Sequence, residues 1–303
     1  MGLAMALGLV VACERFENRS PISPTDVRAD PGLGIEVLAQ WSPYVGIHVA
    51  GQALETYREA VSILRAAGRL KGVRIEITRG LSPGDPTLRA ITATGVEVLG
   101  LISNEILRLP NIEDEIDHIF RAYPQIRHFQ VGNEVTTNQG GTTITIQQYM
   151  TIFQRVYDHM LSSDPGRAIL LTQSTLGSGL HGPTELEAMG HLGLSGLDPR
   201  HVIVAVNMYD LDHASQYLGL LGGALRGFRV WVTESGIRDP ERHLSWVRDS
   251  YPRLRNLLRA ERVYWYVMWG GDSGPDTDFS LVKNPSAYPN YWRSPLFELL
   301  ASR

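Results

Sequence analysis

Cysteine is almost missing from this chain. Cys13 is the only one in 303 residues, so no internal disulfide can form and the redox compartment stays open. Positive charge is not concentrated anywhere: 28 Lys and Arg stand against 32 Asp and Glu, the net charge is −4, and no basic cluster occurs. That argues against a nucleic-acid partner. No apolar run reaches the roughly 18 residues of a membrane span. The nine histidines show no His-x-x-x-His or similar grouping, so no catalytic metal is expected, and no cofactor is indicated. A Gly-x-Ser-x-Gly elbow is absent, which argues against a serine hydrolase. No glycine-rich phosphate loop follows the first strand-like run, which counts against a doubly wound nucleotide-binding sheet.

What is present is apolar residue enough for a large core, 43% of the chain. The length is high for one ordinary domain but comfortable for a single α/β barrel, which takes roughly 250 residues. The first 13 residues, "MGLAMALGLVVAC", form an apolar run of signal-peptide length that stops at Cys13. "VVAC" resembles a bacterial lipobox, in which the cysteine is lipidated and becomes the mature N-terminus, although no Lys or Arg precedes the run. The resemblance implies a secreted or membrane-anchored lipoprotein of the cell envelope. Residues 14–34 are proline-containing and of mixed charge, and read as a tether to a catalytic domain over 35–303.

From residue 42 onward, apolar β-rich runs alternate with helical patterns. Strands are expected at 44–49, 73–78, 95–102, 127–132, 168–172, 201–207, 228–233 and 263–269. Several are nearly continuous in apolar residues, as parallel strands covered by helices should be. Between them, "NIEDEIDHIFRAYP" offers Asn111 as an N-cap and an apolar stripe of Ile112, Ile116, Ile119 and Phe120. "TIQQYMTIFQRVYDHM" opens with Thr145 and Gln148 at capping-box spacing. Asp239-Pro240 and Ser294-Pro295 are further helix starts. Eight such units predict a single-domain (β/α)8 TIM barrel.

In such a barrel chemistry sits at the C-terminal strand ends. There "FQVGNEV" places Asn133 and Glu134 after strand 4, and "WVTESGI" places Glu234 after strand 7. A strand core gains nothing from a buried acid, so both are read as the floor of a site. Two carboxylates facing each other across a cleft are the requirement of glycoside hydrolysis.

Asn-Glu after strand 4 with Glu after strand 7 resembles clan A of the retaining glycoside hydrolases, the 4/7 barrels. "QVGNEV", "TESG" and "GVEVLGLISNEIL" are further similar to the β-1,3-glucanase family, glycoside hydrolase family 17. Gly236-Ile237-Arg238 stands where that family usually has Gly-Trp-Pro. The resemblance implies Glu234 as nucleophile, Glu134 as acid/base, about 5 to 5.5 Å between them, and Asn133 on the sugar 2-hydroxyl. It also implies an oligo- or polysaccharide substrate, with a β-glucan, possibly β-1,3-linked, the best single choice. Tyr209 after strand 6 is expected to hydrogen-bond the nucleophile, with Asn207 beside it. Trp269 at the end of strand 8 offers an indole face to a pyranose. Arg79 at the end of strand 2 is expected to orient Glu234, and His48 ends strand 1. Trp41, Tyr288, Tyr291 and Trp292 are candidates for an extended cleft, whereas Trp265 and Tyr266 read as core and helix-facing. "GDSGPDTD" at 271–278 lacks EF-hand spacing and reads as a solvated loop over the site. Two rivals remain: a transglycosylase using the same carboxylates, and a glycan-binding lipoprotein without catalysis.

Overall fold

The computed structural model describes residues 45–49, 54–67, 70–78, 86–137, 143–163, 169–175, 181–271, 273–274, 276–284 and 290–302. Cys13, the 14–34 tether, Trp41, Arg79 and Tyr288 lie outside the described residues, and so does the side chain of His48 within its strand.

Eight parallel strands close into one ring in chain order. They are β1 (Val45–Val49), β2 (Gly72–Ile77), β3 (Glu97–Ile102), β4 (His128–Val131), β5 (Ile169–Leu171), β6 (Val202–Met208), β7 (Arg229–Ser235) and β8 (Ala260–Trp265). β1 pairs with β8 as well as with β2, which removes both sheet edges. Eight helices are described: α1 (Leu54–Ala66), α2 (Pro86–Ala93), α3 (Ile112–Ala122), α4 (Ile146–Ser163), α5 (His181–His191), α6 (Ala214–Gly222), α7 (His243–Leu258) and α8 (Pro295–Ala301). A small antiparallel pair, β9 (Val282–Lys283) and β10 (Trp292–Arg293), follows the last barrel strand. The expected (β/α)8 barrel is therefore the observed one.

Local signals explain most helix positions. Thr145 and Gln148 cap each other reciprocally, at 3.1 and 2.9 Å, and Ser294 accepts from the Phe297 N–H at 3.1 Å. The expected stripes on α3 and α4 are buried. Two signals work differently from expectation. Asn111 occupies the N-cap of α3, but its side chain makes no cap hydrogen bond. Asp239 caps a short 3-10 turn, Pro240–Arg242, rather than α7 itself.

Side chains alternate between two environments. Outward-facing Val73, Phe129, Val131, Val204 and Val232 join the helices in the main core. Inside the barrel, Leu99, Leu171, Ile203, Ala205, Trp231 and Tyr264 form a second, smaller cluster. Near the strand N-termini, Glu97 pairs with His128 Nδ1 at 3.0 Å and Arg262 Nη2 at 2.6 Å. Both partners also lie against the Trp231 ring. Apolar filling and this charged plug close the bottom, so only the upper lumen is left for polar groups.

Candidate active site

β4 delivers its acid through a constrained turn. Gly132 has φ +79°, and a Cβ there would stand 2.7 Å from Leu107 Cδ1 and 2.8 Å from Val135 Cγ1. Asn104 then grips both backbone groups of Asn133: its Oδ1 accepts from the N–H at 2.9 Å, and its Nδ2 donates to the carbonyl at 2.7 Å. Glu134 follows at φ +45°, a left-handed conformation that costs about 1 kcal/mol for a residue with a Cβ. It persists because its surroundings over-determine it. The Glu134 N–H donates to the Ser174 carbonyl at 3.1 Å, and Thr137 donates to the Glu134 carbonyl from both N–H and hydroxyl, each at 2.9 Å. The next two residues are also tied down. Val135 N–H donates to Gln173 Oε1, and the Thr136 hydroxyl donates to Glu185 Oε1 on α5.

β7 delivers the second acid by breaking its own alternation. Val206 lies opposite Val232, but Asn207 lies opposite Glu234, so the register skips a residue. Strict alternation would have turned Glu234 outward with Val232. The bulge lets successive residues Thr233 and Glu234 both reach lumen partners, a use that bulges beside active sites commonly serve. Thr233 Oγ1 donates to Asn207 Oδ1 at 3.1 Å. Glu234 is held at both oxygens, by Arg74 Nη1 at 2.7 Å and by the Tyr209 hydroxyl at 2.7 Å.

Arg74 is the hub. Fully buried on β2, it donates from Nε to Gln130 Oε1 at 2.8 Å and from Nη2 to Asn133 Oδ1 at 3.0 Å. Gln130 is fixed in turn by donating to the Gly132 carbonyl and to Ser174 Oγ. Asn207 Nδ2 donates to Glu134 Oε1 at 2.8 Å and to Asn133 Oδ1 at 3.3 Å. Hydrogen bonds thus run unbroken from Glu134 through Asn207, Asn133 and Arg74 to Glu234. The two glutamates are only 3% and 6% exposed, but their neighbours are polar rather than hydrocarbon.

The acids are not equivalent. Burial, then the charge of Glu234, pushes the Glu134 carboxyl up to about 7, against the partial relief of its Asn207 hydrogen bond and Arg74; Glu185 pushes the same way as Glu234. Glu234 has a guanidinium and a phenol donating to it, the environment of a carboxylate. Burial raises the Tyr209 hydroxyl well above its usual range, and Glu234 beside it acts in the same direction, so it stays a donor. The two carboxyls thus sit in unlike surroundings, one desolvated with a single amide donor and the other held by a guanidinium and a phenol. Among the described residues no three His, Cys, Asp or Glu side chains gather into a possible metal site.

Of the residues singled out in the sequence, Glu134, Glu234, Asn133, Asn207 and Tyr209 converge here. The guanidinium on Glu234 is that of Arg74, five positions before Arg79 and inside the strand. An arginine amid the apolar residues of "GVRIEI" was its signal, because a buried charge demands a partner. Asn104 and Gln130 carried no comparable signal. β8 ends at Trp265, earlier than expected, and Trp269 beyond it is half-buried against the main core. Trp265 is core, packed on Trp246 and His243 of α7. Tyr266 is not helix-facing. Its ring meets Tyr209 edge-on at 6.3 Å, and its hydroxyl donates to Asp276 Oδ2 at 3.1 Å. Tyr291 is buried against Phe297 and Arg293 rather than lining a cleft. Trp292 is 38% exposed, with Lys283 over its ring.

No family model matches the chain, and no curated protein matches it in sequence. Solved structures do match its fold. The β-mannanase of Thermomonospora fusca, as its mannotriose complex, has 12% identity and TM-score 0.56, covering 80% of this chain and 84% of that one. A glycoside hydrolase family 17 β-1,3-glucanosyltransferase from Rhizomucor miehei has 14% identity and TM-score 0.54, covering 79% and 93%. A family 128 endo-β-1,3-glucanase from Lentinula edodes has 11% identity and TM-score 0.59, covering 86% and 99%. The chain therefore has the barrel fold found in these clan A glycan-processing enzymes.

Proposed function

We propose that this barrel, of the form that mannanases and β-1,3-glucanases share, is a retaining glycoside hydrolase acting on β-linked glycans. The observation that carries the reading is the pair of unlike acids at the ends of β4 and β7: Glu134 held near neutrality and Glu234 clasped by Arg74 and Tyr209. Glu234 attacks the anomeric carbon as that carbon's bond to the glycosidic oxygen breaks, and the departing oxygen takes the Glu134 proton. A glycosyl ester on Glu234 results. Esterification removes one negative neighbour of Glu134, which then accepts a proton from water as the water oxygen displaces Glu234. Asn133 serves the sugar 2-hydroxyl, and Trp269, Arg79 and His48 are further candidates for substrate contact.

The substrate class we favour is a β-glucan, β-1,3-linked or related, since two of the three structural neighbours act on β-1,3-glucan by their names. One of those is a glucanosyltransferase, and sugar acceptors replacing water would use the same two acids; product masses separate the two outcomes. Cys13 would tether the enzyme at the cell envelope.

The test is azide rescue of two alanine variants on a dinitrophenyl β-glycoside. Glu134→Ala keeps its nucleophile, so azide should restore turnover and give the β-glycosyl azide. Glu234→Ala should instead give the α-glycosyl azide, because azide then attacks the sugar directly. Wild-type turnover of every glycan by both folded variants would reject the assignment.

A further inference from the structure

The reaction just described uses two carboxylates, but a third faces the same turn. Glu185 lies on the first turns of α5, outside the strand ends where the chemistry gathers. Its Oε1 accepts from the hydroxyl of Thr136, two residues after Glu134, while its Oε2 is buried with no hydrogen-bond partner. A buried carboxylate oxygen without a donor is costly, so a helix that keeps one there calls for an explanation. Glu185 lies close enough for its charge to act on Glu134, and it acts on Tyr217 of α6 as well.

We propose that Glu185 is a positioning residue for the acid/base step. It anchors the turn that carries Glu134 through Thr136, and it gives Glu134 a second negative neighbour that the reaction never consumes. The inference rests on the acid/base reading of Glu134. Its consequence concerns the order of steps. Four ionisable side chains act on the Glu134 carboxyl or lie in its field: Glu234 on β7, Arg74 on β2, Tyr209 after β6 and Glu185 on α5. Formation of the glycosyl ester silences only Glu234. Glu185 continues to hold the proton affinity of Glu134 up, so that Glu134 enters the second half-reaction as a stronger base than it would be beside Arg74 alone. The charge on α5 thereby aids proton donation in the first step and proton removal from water in the second.

The experiment is the pH dependence of kcat/KM for Glu185→Gln, a near-isosteric change that keeps an acceptor for Thr136. Loss of the charge should move the basic limb toward acid by about 0.5 pH unit or more. A purely structural residue would lower the rate at every pH and leave the limb in place, and that result, or an unaltered profile, would overturn the proposal. Thr136→Val supplies an independent arm should Glu185→Gln not fold. It keeps the charge but releases the anchor, and should lower kcat several-fold; unchanged kcat would overturn the anchoring role. Azide rescue of Glu134→Ala decides the role of Glu134 without reference to α5, so the failure of that reading and of this one are distinguishable.

Discussion

Glu134 shows at the scale of one residue how backbone and charge combine. Its left-handed φ aims the carboxyl, and its burial beside Glu234 keeps a proton on it up to about pH 7. The ordinary value is 4.5, so between roughly 4.5 and 7 the folded protein binds a proton that the unfolded chain has released. The sign follows: this group's contribution to stability is complete at low pH and is lost as pH rises through about 7. Glu134→Gln keeps the Asn207 contact but cannot ionise. At pH 8 it should be more stable than the parent by on the order of 1–3 kcal/mol, a gap that closes toward pH 4.5, measurable by chemical denaturation at each pH. Activity of the parent should fall as pH rises through about 7, where the Glu134 acid is lost, which a pH–rate profile measures.

Elements divide into those the sequence announces and those it does not. Glu134 and Glu234 were legible because each follows an apolar strand run abruptly, and α4 was legible because Thr145 and Gln148 sit at capping-box spacing. The β7 bulge was not, because a skipped residue leaves no periodic trace: "WVTES" alternates no differently from any strand. Tyr266 was missed for a related reason. Counting it within β8 put it on the wrong face, since the strand stops one residue before it. The charged plug at the strand N-termini belongs to this scale too. Burial works to raise the Glu97 carboxyl, but the His128 hydrogen bond, with Arg262 and Arg127, outweighs it and leaves the group below its ordinary value. Its contribution is therefore present above the unfolded value and lost as pH falls through the lowered one. Half-exposed pairs are weak, so Glu97→Gln should reduce stability by about 1 kcal/mol at pH 7, a difference that fades on acidification in thermal melts.

At the scale of the whole molecule the closed eight-stranded barrel is legible in the sequence, because eight apolar runs interleaved with helical patterns leave few other topologies. What the sequence did not reveal is how strongly the site depends on that closure. Asn104, Gln130 and Arg74 come from three strands or the loops after them, and Asn104 and Gln130 carry no signal of their own until the ring brings them beside Asn133 and Arg74. Arg74→Met tests this at the scale of the fold. Removing one partner from a buried pair typically costs about 3–5 kcal/mol, so the variant should melt well below the parent and lose activity even where folded.

Arg74 and Glu234 lie 160 positions apart along the chain, on strands from opposite halves of the barrel. A nascent or partly unfolded chain that has docked its first strands but not its seventh lacks the Glu234 carboxylate that Arg74 pairs with in the finished barrel. Such half-built species are penalised electrostatically, which steepens the all-or-none character of the transition. Site geometry and completed assembly are in this way one event: the ion pair that fixes the Glu234 carboxylate forms only once β7 is in place.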